Sequence, residues 1–318
     1  MRIIYFCSIK NKAYGGLDVI FRHAEILKSL GADIKIYNTK NVSILKKIFY
    51  FNPPRYKSST INLIHNIQSI NKDDFVILPE ILVSKYASYL NKKNINYIIL
   101  VQGPFLIKTE DIIYYFNACL VLGTSNLIIK YIRKLFPSNN FPPLKYIRLS
   151  SPVVTKSLKK QNIITYMPRK MTAHSKFFIE QISKTIPNNW KIIALDNMDH
   201  KEVCNILNKS SIFLNFTDLE GFGLPALEAG IYKNIVIGYT GCGSDEFFSK
   251  PIYNKIDHGN LIKFKDKLLH ILELIDQKRI DYKAVSLQQK RLALYYSKKN
   301  EIDHLKQLYN FLRKVKSQ

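Results

Sequence analysis

Long apolar runs are missing from this sequence. None approaches the ~18 to 20 residues that cross a bilayer, and the opening MRIIYFCSIKNK is a five-residue apolar strand followed by polar residues. Neither a transmembrane helix nor a signal peptide is therefore expected. Cysteine is scarce: Cys7, Cys119, Cys204 and Cys242 stand far apart without CxxC spacing. That pattern speaks against a disulfide framework or a zinc site, and it fits a reducing cytoplasm. Polar and low-complexity tracts long enough for disorder are also missing, since 47% of residues are apolar and 23% charged. Acidic residues are few, 24 against 48 Lys and Arg, which leaves a net charge of +24. Residues 1 to 60 alone carry 11 basic and 3 acidic side chains. Nucleic acid, an acidic membrane face and a phosphorylated substrate are the candidate counterparts, and a Lys-, Asn- and Ile-rich composition is the competing explanation. Nucleic acid is disfavoured, because neither zinc-finger spacing nor an aromatic-basic motif is present.

What is there is an alternation of short buried strands with helices. The 318 residues are too many for one ordinary α/β domain and enough for two. Arg2 to Cys7 reads as a strand, Gly16 to Leu30 as an amphipathic helix and Ile34 to Tyr37 as a second strand. Phe75 to Leu78, Tyr97 to Val101, Cys119 to Leu122 and Tyr146 to Leu149 follow as strands, and Ser150-Ser151-Pro152 reads as a linker. The pattern resumes with strands at Ile163 to Met167, Lys191 to Leu195, Ile212 to Phe216 and Ile235 to Tyr239. The expectation is two parallel α/β, Rossmann-like domains, 1–155 and 156–296, with a terminal helical segment, 297–318. Ligands of open α/β sheets bind at the carboxyl ends of the strands, so a cleft between two such domains is where chemistry is expected.

The segment Glu220-Gly-Phe-Gly-Leu-Pro-Ala-Leu-Glu228 follows one of these strands and opens a helix. Gly221 and Gly223 allow close approach of backbone to a ligand, and amides at a helix start suit a phosphate. Pro225 in the first turn lacks only an amide that the helix would leave unpaired. On a helix, eight positions are just over two turns, so Glu228 would look toward the same side as Glu220. Two acids beside an anion site imply a ligand with hydroxyls as well as phosphates, which describes a nucleotide sugar.

EGFGLPALEAG resembles the Glu, seven residues, Glu signature of retaining glycosyltransferases of the GT-B fold, family 4. The surrounding NKSSIFLNFTDLEGFGLPALEAGIYKNIVIGYTGCGSDEFF is similar to that family's donor-binding half, and GGLDVIFRHAEILKSLGADIKIY to its amino-terminal glycine pair and first helix. The resemblance implies a metal-independent, hexosyltransferase-like enzyme with no cofactor besides its nucleotide-sugar co-substrate. It implies that the backbone of Gly221, Phe222, Gly223 and Leu224 holds the donor diphosphate, that Glu228 holds the ribose and that Glu220 touches the transferred sugar. It also implies that Arg169 and Lys170 neutralise the diphosphate, with Lys176 competing with Lys170 for that role. Asp196 to Asp199 adds two acids, but nothing else there points to a metal.

In the first domain, Tyr14-Gly15-Gly16 takes the place of the family's glycine pair beside phosphate and acceptor. Gln102 stands where many relatives have a histidine; it can hydrogen-bond but cannot titrate. His174 reads as a loop or helix-start residue. Base contacts are expected near Leu195 to Asp199. The terminal stripe Ile302, Leu305, Leu308, Tyr309, Leu312 and Val315 fits a helix packed on the domains better than one lying on a membrane, and the resemblance implies that this last helix crosses back to the first domain. Family members often act at the cytoplasmic membrane face on lipid-linked acceptors. The basic, apolar stretch with Ile44, Lys46, Lys47, Ile48, Phe49, Tyr50, Phe51 and Arg55 is therefore a candidate surface for anionic lipid or a lipid-linked phosphate. A catalytically silent GT-B subunit and a basic polyanion-binding protein are the alternative readings.

Overall fold

The computed structural model describes residues 1–9, 15–39, 59–152, 154 and 157–317. Two compact units emerge. Unit 1 is Met1–Leu149 with Lys298–Gln318, and unit 2 is Ser150–Ser297. The division after Leu149 falls N-terminal to the 155/156 boundary read from the sequence.

Unit 1 runs β1 (Arg2–Cys7), α1 (Gly15–Ser29), β2 (Asp33–Asn38), β3 (Asn62–Ile64), β4 (Phe75–Pro79), α2 (Val83–Lys92), β5 (Asn96–Val101), α3 (Ile112–Phe116), β6 (Leu120–Gly123), α4 (Asn126–Leu135) and β7 (Leu144–Tyr146). Among the described residues its sheet is parallel, in the order β3-β2-β1-β4-β5-β6-β7. Alternate side chains of β1 enter two separate cores: Ile3, Tyr5 and Cys7 pack on one face, Ile4 and Phe6 on the other. A strand covered on both faces reads as an uninterrupted apolar run, which is why β1, β4 and β5 are so plain in the sequence. The last strand is shifted. Tyr146 to Leu149 reads as a strand, but the ladder with β6 holds Leu144–Tyr146; Ile147 N still donates to Gly123 O at 2.9 Å, and Leu149 continues as buried chain beyond it.

Unit 2 runs β8 (Gln161–Tyr166), α5 (Thr172–Ile182), β9 (Lys191–Ala194), α6 (His200–Lys209), β10 (Ser210–Asn215), α7 (Leu224–Ile231), β11 (Ile235–Gly238), β12 (Tyr253–Lys255), α8 (Leu261–Asp276) and α9 (Tyr282–Tyr295). Its parallel sheet has the order β12-β11-β10-β8-β9. Taken from β8 onward this is the 2-1-3-4-5 doubly wound order, whose switch point lies between its first and third strands, here β8 and β10.

The chain returns to unit 1 through α10 (Lys298–Lys316). Leu305, Leu308 and Leu312 of its stripe are buried in the core that holds Leu17, Ile20 and Phe21 of α1. A partly buried ion pair accompanies them: Arg22 Nε donates to both oxygens of Glu301, at 3.0 and 2.9 Å, and Glu301 is fully buried. His23 lies 3.3 Å from the same carboxylate; burial lowers its pKa, against the pull of Glu301.

Candidate functional site

In unit 2 the site grows out of the switch point. β8 and β10 run in register, Phe213 opposite Thr165 and Leu214 opposite Tyr166, so both chains leave the sheet at one level. After Tyr166 the chain makes a 3-10 turn, Pro168–Lys170, before α5. After Asn215 it passes buried Phe216 and Thr217 to reach Glu220. The two exits meet in an ion pair between Lys170 Nζ and Glu220 Oε2, and Thr217 Oγ1 lies 3.4 Å from that oxygen. The Lys170 side chain is 37% exposed and that of Glu220 19%. Burial, and secondarily the Arg169 guanidinium, lower Lys170 to about 8. Arg169 is exposed on the same turn.

Glu220 does not lie on a helix, contrary to the two-turn reading of its spacing from Glu228. It forms a parallel bridge with Cys242, its amide donating to Gly241 O at 2.9 Å, and α7 begins only at Leu224. Backbone lies on backbone here: a Cβ added to Gly243 would be 2.6 Å from both Gly221 C and Phe222 N. Gly223 enters the helix at φ +93°, which side-chain-bearing residues rarely adopt. The Phe222 side chain is buried against Phe247 and Tyr296, with centroids at 5.6 and 5.4 Å, so this residue anchors the loop and leaves its main chain to the site. The amides opening α7 have no intrahelical acceptor and carry the positive end of the helix dipole.

Glu228, 14% exposed, is one turn into α7, and its Oε1 is 3.0 Å from His200 Nε2. His200 was not singled out in the sequence; the available signal was its place directly after Asp199, the helix cap. The Cys204 sulfur and then the Glu228 carboxylate raise His200 to about 10. Lys176 is elsewhere: its side chain is 76% exposed and lies 4.0 Å from Glu180 on the same helix. His174 is tied down structurally, with Nε2 2.8 Å from the Tyr239 hydroxyl, and burial and His258 lower its pKa. Thus the structure gathers Arg169, Lys170, Glu220 and the 221–224 backbone, places Glu228 on the helix they open, and leaves Lys176 outside. Among the described residues no group of three or more His, Cys, Asp or Glu is arranged to hold a metal ion.

In unit 1 the corresponding carboxyl edge brings together Gly16 and Gln102, whose Nε2 donates to Gly16 O at 3.2 Å. A Cβ on Gly16 would stand 3.0 Å from Gln102 Oε1. Gly15 precedes it in the first turn of α1, and Tyr14 lies outside the described residues. Beside them is a residue that the sequence reading passed over. Glu80, buried directly after β4, accepts from Gly103 N at 2.8 Å. Burial raises it to about 7, against the backbone amides around it. An acid immediately after the run FVILP was the clue.

No protein-family model matches the chain. A curated α-1,6-glucosyltransferase of Actinobacillus pleuropneumoniae serotype 7 is 21% identical over 287 residues, 85% of this chain and 83% of that protein. The Anabaena protein HepE, solved with UDP and glucose, superposes with a TM-score of 0.68 at 11% identity, over 99% of this chain and 100% of that one. The pneumococcal O-GlcNAc transferase GtfA, solved with UDP and GlcNAc, gives 0.67 at 11% identity, over 97% and 98%. At such identities likeness of structure establishes architecture, and together with the two parallel sheets it shows that this chain has the two-Rossmann-domain GT-B fold of glycosyltransferases.

Proposed function

We propose that this protein is a glycosyltransferase that moves a sugar, of the hexose class, from a nucleoside diphosphate to an acceptor with retention of anomeric configuration and without a metal. One observation carries the reading: at the switch point of unit 2 a Lys–Glu pair faces a helix opened by Gly223, with Glu228 further along the same helix. The amides of Gly221 to Leu224 bind the diphosphate. Arg169 and Lys170 meet the charge that grows on the departing β-phosphate, the kind of pre-placed electrostatic stabilisation that lowers a transition state most. Lys170 exchanges its Glu220 partner for phosphate oxygen when the donor arrives, which frees Glu220 for the sugar hydroxyls. Glu228 accepts from the ribose. Two structural neighbours that hold UDP with a sugar support this class of donor.

The acceptor is assigned to unit 1, at the edge formed by Gly15, Gly16 and Gln102, and its class is a glycan, a lipid-linked group or another anionic molecule. The net charge of +24 supports reversible binding at an anionic, cytoplasmic membrane face. Among the described residues no helix is long and apolar enough to cross a membrane. The basic stretch around Lys46, Lys47 and Arg55 that would serve this contact lies outside the described residues.

Thermal-shift and calorimetric titration with UDP-, GDP- and ADP-sugars, beside oligonucleotides, tests the assignment. Saturable binding of one sugar nucleotide, lost in Lys170→Ala, is the expected result. Oligonucleotide binding with no response to any sugar nucleotide would refute it.

A further inference from the structure

Glu228 has a fixed partner that the donor-site reading leaves unexplained. Asp199 caps α6 through a reciprocal box: its Oδ1 accepts from Glu202 N at 2.8 Å, while Glu202 Oε2 accepts from Asp199 N at 2.9 Å. This box sets the first turn of α6, from which the His200 ring reaches α7 and donates from Nε2 to Glu228 Oε1 at 3.0 Å. Cys204, one turn along the same helix, holds its sulfur 3.7 Å from Nε2, and Tyr232, one turn beyond Glu228, interacts with both Cys204 and Glu228. Glu228 is largely buried whereas His200 is 46% exposed, so the imidazole connects the carboxylate to the surface.

We propose that His200 is a positioning residue for nucleoside recognition, holding the Glu228 carboxylate in the orientation that accepts the ribose hydroxyls. The inference rests on the assignment of Glu228 to the ribose. A carboxylate offers about four acceptor directions. His200 takes one of them on Oε1, which leaves enough for the two hydroxyls of a ribose and removes the freedom of the group to rotate. Without the imidazole that ordering would have to come at the expense of binding. The loss should therefore concern the ribose hydroxyls and spare the rest of the nucleotide. A raised His200, protonated near neutrality, supplies the matching charge.

The test is calorimetric titration of the full chain with UDP and with 2′-deoxy-UDP. The GDP or ADP pair takes their place if one of those is the nucleotide that binds. For wild type, removal of the 2′-hydroxyl should weaken binding about tenfold or more, as for a hydrogen bond to a charged acceptor. In His200→Ala the ribonucleotide should bind about tenfold more weakly, and the discrimination between the two probes should shrink to about threefold or less. His200→Gln, which keeps a donor, should recover part of that discrimination; a purely structural effect would weaken both probes alike. Wild-type discrimination retained in His200→Ala, while Glu228→Gln abolishes it, would overturn the role of His200 alone. Discrimination unchanged in Glu228→Gln would overturn the ribose assignment and this inference with it. Binding of none of the three ribonucleotides to wild type would overturn the donor site as a whole.

Discussion

Replacing Gly223 by Ala tests how the donor loop is built. Its φ of +93° puts any side chain in the left-handed region, which costs roughly 1–2 kcal/mol. The new Cβ would also overlap Ser244 Oγ and lie 3.2 Å from Ser244 Cβ, and Ser244 is fully buried. Rotating the hydroxyl away relieves the overlap but gives up its bond to Phe222 O, 3.3 Å in the native protein, for about another 1 kcal/mol. The sum is about 2–3 kcal/mol. For a domain of this size that corresponds to a fall in Tm on the order of 4–12 °C. Gly259 is the control: it has φ +80° with nothing within 4 Å of an added Cβ, so Gly259→Ala should show the backbone cost only. Differential scanning calorimetry of both variants, with sugar-nucleotide titration, separates the contributions. Gly223→Ala should melt lower than Gly259→Ala and lose donor affinity at least tenfold, because its backbone cannot move without shifting the 221–224 amides. Adding Ser244→Gly should restore part of the stability. Equal melting of the two glycine variants, with normal donor affinity in Gly223→Ala, would refute the close packing of the 220–223 and 240–244 loops.

Glu228→Ala should raise the KM for the donor more than it lowers kcat in steady-state kinetics, since ribose contacts are the same in ground and transition states. Arg169→Ala should lower kcat by about a hundredfold or more, as for loss of one donor to a developing charge, and single-turnover assays measure this directly. Glu80 gives a pH-dependent outcome. Its folded pKa, about 7, lies above the reference value of 4.5, so the folded state binds the proton more tightly. Its contribution is present below pH 4.5 and is lost as pH rises through 7. Glu80→Gln should remove that decline in denaturant unfolding curves while still accepting from Gly103 N. Finally, co-sedimentation should show binding to anionic but not neutral vesicles, weakened by salt, with each well-placed basic residue contributing about 1 kcal/mol. Equal binding to both vesicle types, or to neither, would leave the +24 charge as composition.

The sequence alone determined the architecture, for a local physical reason. Strands of a parallel sheet are buried on both faces, so β1, β4, β5, β10 and β11 stand out as apolar runs, and Gly103 and Gly238 mark the ends of β5 and β11. The Glu220 to Glu228 segment was legible on the same terms, because Gly223 and Pro225 are residues that a strand-to-helix turn demands. The sequence could not show which distant groups meet. Lys170 and Lys176 are equivalent as letters; only the order β10-β8 and its register put the first against Glu220 and send the second into solvent beside Glu180. The strand assigned to Tyr146 to Leu149 is displaced similarly: pairing runs from Leu144 to the Ile147 amide, and buried Leu149 beyond it gives the same apolar signal without a ladder. His200 and Glu80 stayed hidden because a polar residue's partner depends on tertiary proximity across many residues: 28 between His200 and Glu228, 23 between Glu80 and Gly103. Periodicity reports which face of an element is buried; only the folded chain decides what a polar side chain finds there.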